Sequence, residues 1–152
     1  MNYLALPNHF DGVSVRAVIE IPKGSQVRRE VQNSSPNLFP CTKTHEIPFF
    51  ANYGFIPSTL DGDGDCLDIY VIGDKLEAES VVVAYPRLCI DYMDCDGQDY
   101  KILSVLDPQT TDGEVMIVAE AICRAMWIQP TAIQDLEFAK QIITLLSVTD
   151  GD

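Results

Sequence analysis

Four aspartates fall within eight residues in the run Asp61-Gly62-Asp63-Gly64-Asp65-Cys66-Leu67-Asp68. Carboxylates this crowded repel one another unless a cation neutralises them. The interleaved glycines permit tight turns that aim several carboxylates at one point. An all-oxygen ligand set selects hard ions such as Mg²⁺, Mn²⁺ or Ca²⁺ over Zn²⁺. The run therefore reads as a divalent-metal loop, with a solvated polar turn as the plain alternative. An EF-hand calcium loop would place Asp61, Asp63 and Asp65 at positions 1, 3 and 5, glycine at 6 and glutamate at 12. Cys66 and Ile72 occupy the last two places, so that register fails. The surviving register is Asp63-x-Asp65-x-x-Asp68, which leaves Asp61 as a bystander.

A second acidic stretch, 91–99, carries Asp94 and Asp99, and Lys101 follows at the head of the apolar run 102–106. If the two stretches converge, they offer enough oxygens for two or more Mg²⁺ ions. Paired ions can clamp a phosphate and lower the pKa of a bridging water.

These residues need a scaffold. The chain of 152 residues is 47% hydrophobic and 22% charged, as expected of one globular domain over residues 1–152. Its net charge of −13 excludes a nucleic-acid partner, which requires clustered Lys and Arg. No apolar run approaches the ~20 residues of a membrane helix, and no signal-peptide layout opens the chain. A cytoplasmic protein without a membrane partner is expected. The five cysteines are odd in number and lack zinc-site spacing, which fits free thiols.

Val13, Val15, Ala17, Ile19 and Ile21 alternate with other residues, so Glu20 should point off the face made by Ile19 and Ile21. The run 27–31 could return as a hairpin partner, followed by a loop over 32–47. The runs 69–72, 81–85 and 102–106 read as short strands, while 115–124 is open between strand and helix. Thr131 and Gln134 have capping-box spacing ahead of a helix whose apolar face is Ala132, Leu136, Ala139, Ile143 and Leu146. The expected fold class is α+β, a β-barrel core with a packed C-terminal helix.

Four segments, in order, resemble the family I soluble inorganic pyrophosphatases. Asp63-Gly64-Asp65-Cys66-Leu67-Asp68-Ile69 is similar to the family signature D-G-D-P-L-D-V, with Cys66 in place of proline. Val18-Ile19-Glu20-Ile21-Pro22 resembles its early strand, and Asn52-Tyr53-Gly54-Phe55-Ile56 its N-Y-G-[YF]-I segment. Asp94, Asp99 and Lys101 match the spacing of its second acidic loop. The resemblance covers about residues 13–106.

It implies a five-stranded OB-like barrel and Mg²⁺-dependent hydrolysis of pyrophosphate by in-line attack of a metal-activated water, with Mn²⁺ as a possible substitute ion. Asp63, Asp68 and Asp99 would be direct metal ligands, with Asp94 and Glu20 holding further ions and Glu30 behind them. Asp65 would orient or deprotonate the attacking water, and Tyr53, Lys101 and Arg28 would contact phosphate. Prokaryotic members are commonly hexamers, so a homo-oligomer is implied.

The cationic side departs from the family. Arg28 stands where a lysine is usual, and Lys43 is the only charge near the position of a family arginine. Thr149 and Asp150 align with a Tyr-Lys pair. Two alternatives therefore stand beside pyrophosphate hydrolysis: a non-catalytic metal-binding protein on the same fold, and a hydrolase of another phosphoanhydride such as a nucleotide.

Overall fold

Short runs of β-branched and aromatic residues build a mixed sheet, and two helices cover its two faces. The computed structural model describes residues 2–25, 27–32, 35–44, 49–62, 64–94 and 97–148; for 27–32, 35–44 and residue 94 it describes the backbone alone. The strands are β1 (Val15–Ile21), β2 (Val27–Gln32), β3 (Ser35–Thr44), β4 (Asn52–Ile56), β5 (Leu67–Ile72), β6 (Val81–Asp94), β7 (Gly97–Val105) and β8 (Ile133–Gln134). The helices are α1 (Asp112–Ala125) and α2 (Leu136–Leu146). The main sheet runs β1-β4-β5-β7-β6-β8, and a further β1–β6 pairing brings its first and fifth strands together. The α+β class and the C-terminal helix are as expected. None of the described helices is long and apolar enough to cross a membrane.

Both faces of this sheet are buried. On one, Val15, Ala17, Ile19, Ile69 and Ile102 pack with Ala139, Ile142 and Ile143 of α2. On the other, Ile21, Tyr53, Tyr70, Ile90 and Leu103 pack with Ala119, Ile122 and Cys123 of α1. Burial on both faces explains why the strands read as nearly continuous apolar runs.

The β1 expectation needs correction. The β1–β4 register shifts between Ile19 and Ile21, a bulge that takes one extra residue at Glu20. Ile19 and Ile21 consequently enter opposite cores, and Glu20 is buried. Beside the bulge, a Cβ on Gly54 would sit 1.8 Å from the Val18 carbonyl oxygen, so only glycine lets β4 approach β1 this closely.

The stretch 27–31 is a strand, but β2 pairs with β3 rather than with β1. Most of the expected loop 32–47 is therefore strand. Pro36 and Pro40 concealed it, since proline is tolerated only where no ladder N–H is needed, as in this separate two-stranded sheet. The ambiguous stretch 115–124 lies in α1, started by Thr111, whose side chain accepts a hydrogen bond from the Glu114 amide. Helix α2 is capped by Asp135, which accepts from Phe138, and not by Thr131, which lies in a 3₁₀ turn.

Asn52 ties two loops to the sheet. Its Nδ2 donates to the Val71 and Asp74 carbonyls at 3.2 and 2.8 Å. Its Oδ1 accepts from the amides of Lys23 and Leu76 at 3.0 and 2.9 Å. Asn52 is fully buried, so Asn52→Ala removes four hydrogen bonds at once and leaves the buried Val71 carbonyl without this donor. A loss of at least about 3 kcal/mol is expected, measured by urea unfolding.

Candidate active site

Strands β5 and β7 run parallel, with Asp68 and Lys101 as register partners. Side chains two residues apart share a face, so Asp99 and Lys101 of β7 emerge together beside Asp68 of β5. Lys101 is 4% exposed, and its Nζ donates to Asp68 Oδ2 and to Asp99 Oδ2, each at 3.1 Å. Its ammonium lies 5.8 Å from the centroid of the Tyr53 ring. Tyr53 stacks edge-on against Tyr70 at 4.8 Å and packs on Phe49 at 5.5 Å, which walls the clasp with aromatic surface. Four of the expected residues, Tyr53, Asp68, Asp99 and Lys101, thus meet at one place.

Burial works against the ammonium of Lys101, yet nearby groups more than offset it and hold its pKa well above the ordinary value. Tyr53 contributes most to that rise, followed by Asp68, Tyr70 and Asp99; at neutral pH, where the tyrosines are uncharged, the two carboxylates are the charges that face the ammonium. Burial, reinforced by Asp68, keeps the Tyr53 phenol protonated to unusually high pH, so it remains a hydrogen-bond donor. Burial also pushes Asp99 up to about 6, against the pull of Lys101. Its Oδ1 is buried and has no hydrogen-bond partner among the described residues. Glu20 belongs to the same neighbourhood, because its charge acts on both Tyr53 and Cys66. Burial raises the Cys66 thiol to about 11, which leaves it a poor nucleophile at neutral pH.

The acidic loop is pinned at its base. Thr59 Oγ1 donates to the Ile56 carbonyl at 2.5 Å and accepts from the Leu67 amide at 2.8 Å, joining the end of β4 to the start of β5. The Leu60 amide donates to Leu146, and Val148 donates to Ser58, so the end of α2 is laced to the same loop. Asp65 is exposed, and its carbonyl accepts from the Asp61 amide at 2.8 Å. Asp61, set aside as an ion ligand, has a structural part. It is 5% exposed, and its Oδ2 accepts from the Tyr100 amide at 3.0 Å.

Asp63 lies outside the described residues, as do Thr149, Asp150 and the side chains of Arg28, Glu30, Lys43 and Asp94. Among the described residues, no three acidic, His or Cys side chains converge as a ready ion cage. Asp68 and Asp99 converge instead on Lys101. Sequence reading missed Asp61 and Thr59. The Asp61-Gly62 dipeptide was a turn signal for the first, and nothing local marked the second.

Residues 17–116 match the family model described as inorganic pyrophosphatase. The inorganic pyrophosphatase of Caulobacter vibrioides is 38% identical over 94 residues, covering 60% of this chain and 53% of that protein. That of Gluconobacter oxydans is 40% identical over 105 residues, covering 66% and 56%. The match thus spans little more than half the length of these relatives. Among solved structures, an Anaplasma phagocytophilum protein described as an inorganic phosphatase superposes with a TM-score of 0.80 at 22% identity, covering 94% of this chain and 96% of that one. The Thermus thermophilus inorganic pyrophosphatase gives 0.77 at 24%, covering 96% and 97%. At such identities the structural matches speak for the fold.

Proposed function

Because the chain belongs to the inorganic pyrophosphatase family, we propose that it hydrolyses inorganic pyrophosphate to two orthophosphates with the help of bound Mg²⁺, for which Mn²⁺ can substitute. The observation that carries this reading is the Lys101 ammonium held in a buried clasp between Asp68 and Asp99, beside the Tyr53 ring. A cation flanked by carboxylates suits a substrate that arrives with both phosphate charge and metal ions.

The donor set fits a hard divalent ion. Asp68 and Asp99 offer oxygen alone, and the buried Asp99 Oδ1, which has no partner among the described residues, is an acceptor that a cation would satisfy. Asp63, Asp68 and Asp99 would hold the ions, with Asp94 and Glu20 for additional ones and Glu30 supporting them. Bound Mg²⁺ supplies Lewis acidity to phosphate oxygens and makes a nearby water a stronger nucleophile.

The chain's own groups do the rest. Lys101 and the Tyr53 hydroxyl donate hydrogen bonds to phosphate oxygens, with Arg28 and Lys43 supplying further positive charge. Asp65, on the exposed part of the loop, accepts a proton from the attacking water. The water oxygen bonds to phosphorus, the bridging P–O bond breaks, and the leaving phosphate departs with the electron pair and takes up a proton.

The test is a substrate panel with Mg²⁺: pyrophosphate, a nucleoside triphosphate and an aryl phosphate monoester. Pyrophosphate should be turned over fastest, and Asp65→Asn should lower its kcat by about 10²-fold. Faster turnover of the nucleotide would make this a nucleotide hydrolase. Binding of Mg²⁺ without turnover of any of the three would make it a metal-binding protein.

A further inference from the structure

Asp61 lies outside the segment that resembles the family signature, yet it is among the most buried carboxylates of the described residues. Its Oδ1 accepts the Gly62 amide at 2.6 Å, and its Oδ2 accepts the Tyr100 amide at 3.0 Å. Its own amide donates to the Asp65 carbonyl at 2.8 Å, and its carbonyl accepts from the Gly64 amide at 3.0 Å. One residue therefore closes the turn that leads to Asp65 and binds that turn to β7.

The attachment point matters. Tyr100 lies between Asp99 and Lys101, and the β5–β7 register begins only at Asp68 and Lys101. The Asp61 carboxylate thus supplies the acceptor for Tyr100 just before the pairing of β7 with β5 begins. The next residue is pressed on the same strand: a Cβ on Gly62 would stand 3.1 Å from the Gln98 carbonyl oxygen, and one on Gly97 would stand 3.5 Å from the Gly62 carbonyl oxygen. Residues 61 and 62 thus lie against the backbone of 97–100.

We propose that Asp61 is a positioning residue that staples the acidic loop to β7, setting the separation between the loop carboxylates and Asp99 and thereby the affinity for divalent ions. This rests on the reading of Asp63, Asp68 and Asp99 as ion ligands. The staple acts through acceptor geometry and not through its negative charge. An asparagine at this position can keep its one carbonyl oxygen on the Tyr100 amide and gives up only the local bond to Gly62, whereas alanine keeps neither.

Two measurements test it on the full chain: Mn²⁺ binding by calorimetry and amide hydrogen exchange of the ion-free protein. In Asp61→Ala, exchange at Tyr100 should rise at least about tenfold over that at Leu103 in the same strand, and Mn²⁺ affinity should fall about tenfold or more. Asp61→Asn should restore affinity to within about threefold of wild type. Gly62→Ala, which keeps every carboxylate, should also weaken Mn²⁺ by lifting the loop from Gln98, and it serves as the second variant if Asp61→Ala does not fold. Equal weakening in Asp61→Asn and Asp61→Ala would show that charge alone matters and would overturn the proposal. So would unchanged Mn²⁺ affinity in Asp61→Ala or, where that variant does not fold, in Gly62→Ala. A wild-type protein that binds no Mn²⁺ would instead sink the ion-ligand reading, and the staple's role with it.

Discussion

Replacing Lys101 with methionine should slow phosphate release from pyrophosphate by about 10²-fold and cost the ion-free protein about 3 kcal/mol of stability. Methionine keeps most of the stem volume but removes the charge from a site where the Lys101 side chain is 6% exposed and those of Asp68 and Asp99 are 20% and 11% exposed. The two carboxylates then face each other without a cation. Breaking a buried ion pair by removing one partner typically costs about 3–5 kcal/mol. The low end applies here because Asp99, already pushed up to about 6 by burial, can relieve the repulsion by taking a proton. The rate falls because a charge-assisted donor to phosphate is lost, at about 1.5–3 kcal/mol. A specific signature follows for urea unfolding: Mg²⁺ should stabilise Lys101→Met more than wild type, since the ion restores the missing positive charge. Equal stabilisation of both proteins would contradict the clasp as described.

Asp68→Asn should show the opposite balance, a large loss of activity with little loss of fold. Asp68 joins the two halves of the site: it accepts from Lys101 at 3.1 Å and sits at the start of β5, where the acidic loop ends. The amide oxygen of asparagine can still accept from Lys101, so stability should change by only about 1 kcal/mol. The negative charge that would bind the ion is gone. A loss of about 4 kcal/mol of charge stabilisation corresponds to roughly a 10³-fold fall in kcat/KM. Steady-state kinetics over a range of Mg²⁺ concentrations would show whether excess ion recovers part of the rate.

The parts of the site that were legible in the sequence are those that short spacing controls. Asp99 and Lys101 are two residues apart on one strand, so alternation alone places them on one face. That Asp68 would stand beside them was not local information, because β5 and β7 pair in parallel across the excursion of β6. The ordered resemblance of four segments supplied that link. Glu20 was misplaced because strict alternation ignores bulges, and the bulge at this position buries it. Asp61 was passed over since it fell outside the chosen register. Its part depends on a strand neighbour, Tyr100, that lies 39 residues away. The strand β3 was hidden by its prolines, and the start of α2 was misread because Asp135 competes with Thr131 for the cap. The misses at Glu20 and Asp61 reflect contacts distant in sequence overriding a local signal, and those at β3 and α2 reflect competing local signals.

The most direct test of the central claim is orthophosphate release from pyrophosphate by the wild-type chain, followed with Mg²⁺ present and again after chelation. The account predicts two orthophosphates per pyrophosphate consumed, rising saturably with Mg²⁺ and abolished by the chelator. Binding of Mg²⁺ with no phosphate release, or release unaffected by the chelator, would contradict it.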